Sequence, residues 1–463
     1  MWVEDEDTGE KRLARPSDAQ WPQTVAILEQ YKELLDAFRK TSNLKSLGLE
    51  LQPDARDYSD EDFAALFPCQ EKANHKSFFA DYNHDGLLDG ASIAILLPHV
   101  QAMRRAARLL HIDSRLAVVE GDSDRAVQNI ETVLGLANQT ADTPTLVNTL
   151  VAVAITRIGF DQLEEIISES PDFFSETQLA KLQDRIQKTD IRSWLNYKGE
   201  QLLLKDMVQR CYTDDGNGDG RMTAAGMQLL NGELFGMVAL VSDNVSSTKA
   251  PLSSFEQMRK AWATFTDSEF GKSAIAPTSL FTCASRKEVM AKAEELYEEL
   301  EADRKLPFWK SRSSKPDGWK DFDDFLEQNK TEYILLATVM PPVQPVRATV
   351  GRTVARKNAV LTALAMYRYH LQDKRWPKTK DDLVPKFLNK MPVDILTGKP
   401  LHFKIVDDRP LVYSVGMDHD DDGGVDGVEN GEPLKRMQIQ PGPKSNDFEG
   451  DWILWPQTDS PES

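Results

Sequence analysis

Through most of the first 370 residues, apolar positions recur every three to four residues; near the end they recur every second residue. The first spacing places apolar side chains on one side of a helix and the second places them on one face of a strand. Helices are therefore predicted over 23–39, 93–110, 113–120, 123–137 and 143–168, then over 176–187, 191–210, 224–240, 255–266, 286–302 and 320–329, with a short acidic one over 59–66. In the first of these, Val25, Leu28, Leu34, Leu35 and Phe38 share one side. Gly121-Asp122 and Asp142-Thr143-Pro144 mark breaks between helices. Pro341-Pro342 and Pro345 mark a larger boundary. Beyond it, 346–371 reads as one long helix with a stripe of Val350, Val354, Leu361, Leu364 and Leu371. A helical turn over 383–388 follows. Strands come next over 401–406 and 411–415, joined through Asp407-Asp408-Arg409-Pro410, and a last strand covers 452–455.

The pattern predicts a mainly α protein in three parts. Residues 1–90 are irregular and helical, 91–340 form a helical-hairpin body, and 341–463 hold the long helix and a small antiparallel sheet, an α+β module. The stretch Gly121 to Ala126 is similar to the turn of a tetratricopeptide repeat, where Gly permits a tight turn and a small Ala lets two helices approach. No 34-residue period accompanies it, so the resemblance to such repeats is partial. The segment over 305–319, basic and aromatic, reads as a binding loop or as a connector whose aromatics pack locally.

Charge narrows the function classes. There are 74 acidic residues against 55 Lys and Arg, for a net charge of -19. That field repels nucleic-acid phosphates and anionic lipid and favours cations. Cys69, Cys211 and Cys283 are too few and too scattered for a disulfide framework or a zinc site. No run of 18 apolar residues suggests a membrane span, and no signal peptide precedes Glu4-Asp5-Glu6-Asp7. Taken alone, this start predicts a cytoplasmic protein. Catalytic motifs are lacking. Gly271-Lys272-Ser273 has no upstream Gly of a phosphate loop, no Gly-x-Ser-x-Gly or His-Glu-x-x-His occurs, and the seven histidines are scattered.

Three segments carry the grammar of a calcium loop, in which alternating carboxylates and a Gly at the sharp bend gather oxygens around a hard cation. The first places Asp81, Asn83, Asp85 and Asp89 around Gly86. The second places Asp215, Asn217 and Asp219 before Gly220. The third places Asp418, Asp420, Asp422 and Asp426 around Gly423, with Glu429 closing the EF-hand formula. A strand precedes the third loop where an EF-hand has a helix. The first two have Ser92 and Gly226 where a closing acid belongs. Weak sites, roughly 0.1–1 mM, are expected. Asp, Asn and Gly are also common turn residues, so each loop has a plain-turn reading as well. Crowding of five aspartates between 418 and 426 tips the third toward a metal.

The C-terminal residues resemble a known family. Trp376-Pro377 closing a helix, Pro392-Val393-Asp394 through Gly398-Lys399-Pro400, and Tyr413-Ser414-Val415-Gly416-Met417-Asp418 followed by Gly423-Gly424 are similar to the major pseudopilin of type II secretion. The resemblance covers about residues 346–456. It implies a pseudopilin-like calcium-binding module with Asp418 and Asp451 as ligands, Asp421 or Asp422 beside them, and a backbone carbonyl near Ser414. The apolar N-terminal helix that builds pseudopilin filaments is not found in this sequence. The whole chain resembles bacterial envelope proteins that carry this ending behind a helical body. The expected function is a non-catalytic, extracytoplasmic interaction or scaffold protein, periplasmic or anchored through a segment upstream and linked to the envelope or to secretion. Calcium is its ion and a protein its partner. The alternative is a hydrolase with a carboxylate or calcium site in the helical body.

Overall fold

The computed structural model describes residues 2–4, 11–44, 98–214, 220–228, 230, 279–312, 318–340, 343–429, 432–433 and 448–456. The helices expected over 59–66 and 255–266 lie outside these residues, as does most of 224–240.

The N-terminal stretch, read as irregular, includes an antiparallel pair, β1 (Trp2–Glu4) and β2 (Lys11–Leu13). The single helix expected over 23–39 is two, α1 (Trp21–Gln30) and α2 (Lys32–Thr41), broken at Tyr31, where ψ rises to 8°. Conversely, the helices expected over 93–110 and 113–120 are one, α3 (Pro98–Glu120). Asp113 does not cap a new helix. Its carboxylate accepts from Arg39 Nη2 (2.5 Å) and Asn129 Nδ2 (2.7 Å), so nothing interrupts the backbone.

After α3, Gly121 turns left-handed at φ 74° and Asp122 caps α4 (Ser123–Ala141) by accepting from the Arg125 amide. Thr145 caps α5 (Leu146–Glu169), and a Ser175/Gln178 capping box starts α6 (Glu176–Lys188). Helices α3, α4 and α5 run up, down and up. His99 of α3 meets Asn148 of α5 near one end, and His111 meets Glu165 at the other. The helix expected over 191–210 splits into a 3-10 turn at Ile191–Trp194 and α7 (Lys198–Cys211), because Leu195 adopts extended backbone. Short helices α8 (Ala224–Gln228) and α9 (Ser279–Thr282) precede α10 (Arg286–Lys305), α11 (Lys320–Gln328) and α12 (Ile334–Val339).

Helix α13 (Val343–Asp373) has 31 residues, about 45 Å of rise. Pro345 sits in its first turn, where the missing amide has no helical partner to lose. Lys374, left-handed at φ 52°, and then Pro377 end it. The short α14 (Lys380–Leu383) leads to β3 (His402–Val406) and β4 (Arg409–Ser414). The pairs β5 (Val428–Glu429), β6 (Glu432–Pro433) and β7 (Phe448–Glu449) form one small sheet. Strand β8 (Trp452–Trp455) joins β4, for the order β3-β4-β8, antiparallel throughout.

Two apolar cores lie along α13. The first takes residues from α1 to α6, from α13 from Val350 onward, and from β4 and β8, including Val412, Trp452 and Trp455. The second is built from α7, α10, α11, α12 and the first turn of α13, with Val343 and Val346. Helix α5 is long and apolar enough to cross a membrane by length and composition, and 67% of its apolar window is buried inside the protein. Two of its buried polar side chains bond to neighbouring backbone, Asn148 to the Thr140 carbonyl and Thr149 to the Trp194 carbonyl.

The described aromatics of the segment over 305–319 pack against near and distant residues alike. Phe308 is buried between the guanidinium groups of Arg192 and Arg347, and Trp319 lies under Arg312. The Trp309 ring sits against Gly398, where a Cβ would come within 2.5 Å of it.

Charged side chains fix how α13 seats. Arg356, buried, pairs with Asp161 and with Glu164 (3.1 Å) of α5. Arg347 pairs with Asp303 at 3.0 Å, and Arg368 with Glu176 at 2.7 Å. The Lys357 ammonium caps α6 by donating to the carbonyls of Gln187 (3.1 Å) and Thr189 (2.6 Å). Replacing Arg356 by Met leaves the buried Glu164 carboxylate, and the half-buried Asp161 beside it, without their cation. A loss of about 3 kcal/mol in denaturant unfolding is expected, and a loss under about 1 kcal/mol would refute this seating.

At the far end of α5, Glu165 accepts from Arg115 Nε (2.5 Å) and Nη2 (2.7 Å) and contacts His111 Nε2 (3.1 Å). Arg115 also holds the carbonyls of Leu13 (3.0 Å) and Ala14 (2.7 Å), tying the N-terminal segment down. Burial alone raises the Glu165 pKa, but bonds and charges from His111 and Arg115 outweigh it and hold the group well below the carboxylate range. A depressed folded pKa stabilises at pH above the unfolded value near 4.5 and loses that contribution as pH falls below it. Urea unfolding between pH 7 and pH 3 should show this acid limb, and Glu165→Gln should flatten it.

Candidate metal centre

The site grows from the register of one hairpin. Asp407 and Asp408 both adopt left-handed φ, 49° and 60°, the geometry of a two-residue type I′ turn. The turn is thus shorter than the four-residue connector expected, and the strands pair His402↔Tyr413, Lys404↔Leu411 and Val406↔Arg409. Phe403 and Ile405 pack against the core. Strand alternation therefore puts His402, Lys404, Leu411 and Tyr413 on the outer face.

The Asp-rich loop lies over that outer face. Asp421 is its latch. Its Oδ1 accepts from the Tyr413 hydroxyl (3.0 Å) and the Gly423 amide (3.1 Å), and its Oδ2 lies 2.9 Å from His402 Nδ1. Burial, then the Asp421 carboxylate, raises the Tyr413 pKa, so the phenol stays protonated and donates. Lys404 Nζ donates to the carbonyls of Gly423 (2.6 Å) and Gly424 (3.3 Å).

Below the loop, the Asp394 carboxylate ties the preceding turn to the end of β4. Its Oδ1 accepts from the Leu396 amide, and its Oδ2 accepts from the Ser414 hydroxyl (2.8 Å) and the Val415 amide (3.2 Å). Gly416 then turns left-handed at φ 71° into Asp418.

The aspartates differ sharply in environment. Asp418, Asp420, Asp421, Asp422 and Asp426 are exposed. Asp420 Oδ1 accepts from the Asp421 amide, and Asp426 Oδ1 from the Gly427 amide. Asp418 Oδ1 accepts from the Asp420 amide at 3.2 Å. Asp451 is 0% exposed, at the start of β8. Its Oδ2 accepts from the Gly424 amide at 2.6 Å, and its Oδ1 has no hydrogen-bond partner. Gly450 at φ 97° brings it there; a Cβ at that position would sit 3.0 Å from the Asp426 carbonyl oxygen. Burial raises the Asp451 pKa, and the Asp421 and Asp422 carboxylates raise it further. Asp418 is raised by burial and then by Asp422 and Asp420. Asp422 thus exerts its charge on both Asp418 and Asp451.

The crowding of carboxylates in sequence is not a crowding in space. The exposed carboxylates are spread over solvent, and among the described residues no three His, Cys, Asp or Glu side chains converge at metal-binding distance. The telling feature is the unpaired buried oxygen of Asp451. Glu429 lies in β5, paired with Glu432 and Phe448, so no EF-hand helix leaves the loop there. Of the residues that meet the loop, Tyr413 belongs to the motif of the resemblance, while nothing in the sequence marks His402 or Lys404. Their common face follows only from the hairpin register.

Asp81, Asn83, Asp85 and Asp89 of the first loop lie outside the described residues, as do Asp215, Asn217 and Asp219 of the second. The ends of the second loop are described. Tyr212 bridges Met222, and the Thr223 amide donates to the Cys211 carbonyl at 2.8 Å. Gly226 packs on Cys211 so closely that a Cβ would lie 2.7 Å from its carbonyl oxygen, which leaves no room for a closing acid. The Cys211 thiol, pushed up to about 12 by burial, is no nucleophile at neutral pH.

A polar cleft of about 350 Å³ opens between α2, α4 and α6. Its charges are paired: Lys181 with Glu131 (2.7 Å), Gln178 with Asp124 (2.7 Å), and Arg39 with Asp36 and Asp113. No family model matches this chain, and no curated protein or solved structure is significantly similar to it.

Asp394→Ala removes three acceptor contacts from a 1% exposed carboxylate and strands the Ser414 hydroxyl and Val415 amide. Thermal unfolding of the full chain should show a loss of about 2–4 kcal/mol.

Proposed function

We propose that this protein is a non-catalytic, extracytoplasmic scaffold or interaction protein whose C-terminal α+β module, pseudopilin-like in its turns, is held by one calcium ion. The ion sits between Asp451, Asp422 and Asp418, with Asp421 as the latch rather than a ligand. The observation that carries this reading is the Asp451 Oδ1 atom, buried and without a hydrogen-bond partner. An ionised oxygen in that position costs several kcal/mol unless a cation meets it. The neighbouring donors are carboxylate and carbonyl oxygens, the set a hard cation selects.

One buried carboxylate and two at the surface make a site of low charge and moderate rigidity. Such sites fill at the millimolar calcium found outside cells, which supports an extracytoplasmic setting. The helical hairpins before the module supply surface for a protein partner, and the net charge of -19 disfavours nucleic acid.

Melting of the full chain in about 10 mM calcium against a chelator tests the reading. At roughly twenty times Kd, bound calcium adds about 2 kcal/mol, a rise of about 2–4 °C. Asp451→Asn, which keeps shape, and Asp422→Ala, at an exposed position, should each remove the rise. Identical melting of the wild type with and without calcium overturns the site.

A further inference from the structure

The Gly423–Gly424 peptide has one charged group at each end. Its carbonyl accepts from Lys404 Nζ at 2.6 Å, and its N–H donates to Asp451 Oδ2 at 2.6 Å. A single peptide dipole therefore joins an ammonium on the outer face of the sheet to the buried carboxylate beneath the loop. Only glycine allows this seat. Gly424 has φ 77°, and a Cβ there would lie 2.9 Å from Lys404 Cε and 3.1 Å from its Nζ. The same ammonium also reaches the Gly424 carbonyl at 3.3 Å.

Lys404 stands on β3, paired across to Leu411, and Leu411 Cδ2 is the third atom close to Gly424. The cation is thus anchored on a regular strand, while its acceptors belong to a loop with four left-handed residues, Gly416, His419, Gly423 and Gly424. The loop's own bonds are short-range contacts at its surface, in which Asp418, Asp420, Asp421 and Asp426 accept from amides one or two residues on. Charge-assisted bonds to a strand supply what the loop lacks.

We infer that Lys404 is a built-in cation that closes the acidic loop from outside when no metal is bound, by fixing the Gly423–Gly424 peptide with its N–H aimed at Asp451. Lys404 is a positioning residue, and its action does not require the calcium reading. A metal approaches the other oxygen of Asp451, so the two cations serve opposite sides of one loop.

Amide hydrogen exchange on the full chain in chelator tests this, read by mass spectrometry over peptides spanning 416–427. Loss of a charge-assisted bond worth about 1.4 kcal/mol raises the open population tenfold. Lys404→Met should therefore speed exchange of this segment about tenfold, with peptides of α13 unchanged. Lys404→Arg keeps a donor cation and should exchange within about twofold of wild type. Equal rates in wild type and Lys404→Met overturn the inference, as does opening of the Arg variant to the Met level. Repeating the series with about 10 mM calcium keeps the two readings apart. Failure of calcium to slow exchange in any variant counts against the metal site, and the chelator comparison still reports on Lys404.

Discussion

Burial of α13 on two sides constrains the rest of the protein. Its first turn completes the core shared with α7, α10, α11 and α12, and its remainder completes the core shared with α3 to α6 and the C-terminal sheet. Apolar contact gives the gain in free energy but little register, since it is roughly proportional to area. Register comes from Arg347, Arg356 and Arg368, each seated on a carboxylate of another helix, and from Lys357 on the end of α6. A shift of α13 by one residue rotates every one of these groups away from its partner by about 100°. Leaving a buried charge unpaired costs more than the pair contributes, so these contacts act mainly by excluding other arrangements.

The sheet inherits its position from that helix. Val412, Trp452, Leu454 and Trp455 complete the apolar core on its inner face, and the Asn358 side chain donates to the Val393 carbonyl beside the Asp394 turn. Asp394 then fixes Ser414 and Val415, where the acidic loop begins. The path from the helical body to the loop runs through the contacts of Asn358 and of the buried Asp394, and beyond it lies Asp451, whose Oδ1 has no hydrogen-bond partner. Five exposed aspartates around it are individually cheap in water. The single buried one carries the chemical argument, because desolvation and not the number of carboxylates sets its cost.

The polar contents of the helical core follow the same logic. Asp113, Asn129, Ser114 and Gln162 link α3, α4 and α5 through side-chain bonds, and Arg39 closes the network from α2. Within the fold they specify which helix faces meet, since each must find its partner once water is excluded.

Sequence alone determined the helical character of the body, the long helix after the proline pair, the hairpin near 401–415 and the last strand at Trp452–Trp455. These depend on local spacing and on Pro and Gly chemistry, which act over a few residues. The breaks at Tyr31 and Leu195, the fusion across Asp113 and the short strands at the N-terminus were decided by tertiary structure. The acidic residues of the site were legible as composition, and Asp418 and Asp451 as a resemblance. Which of them is buried, which is a latch, and that His402, Tyr413 and Lys404 meet the loop were not. Those facts depend on strands separated by dozens of residues coming into register, and burial, which sets the energy of a charge, exists only after the chain has folded.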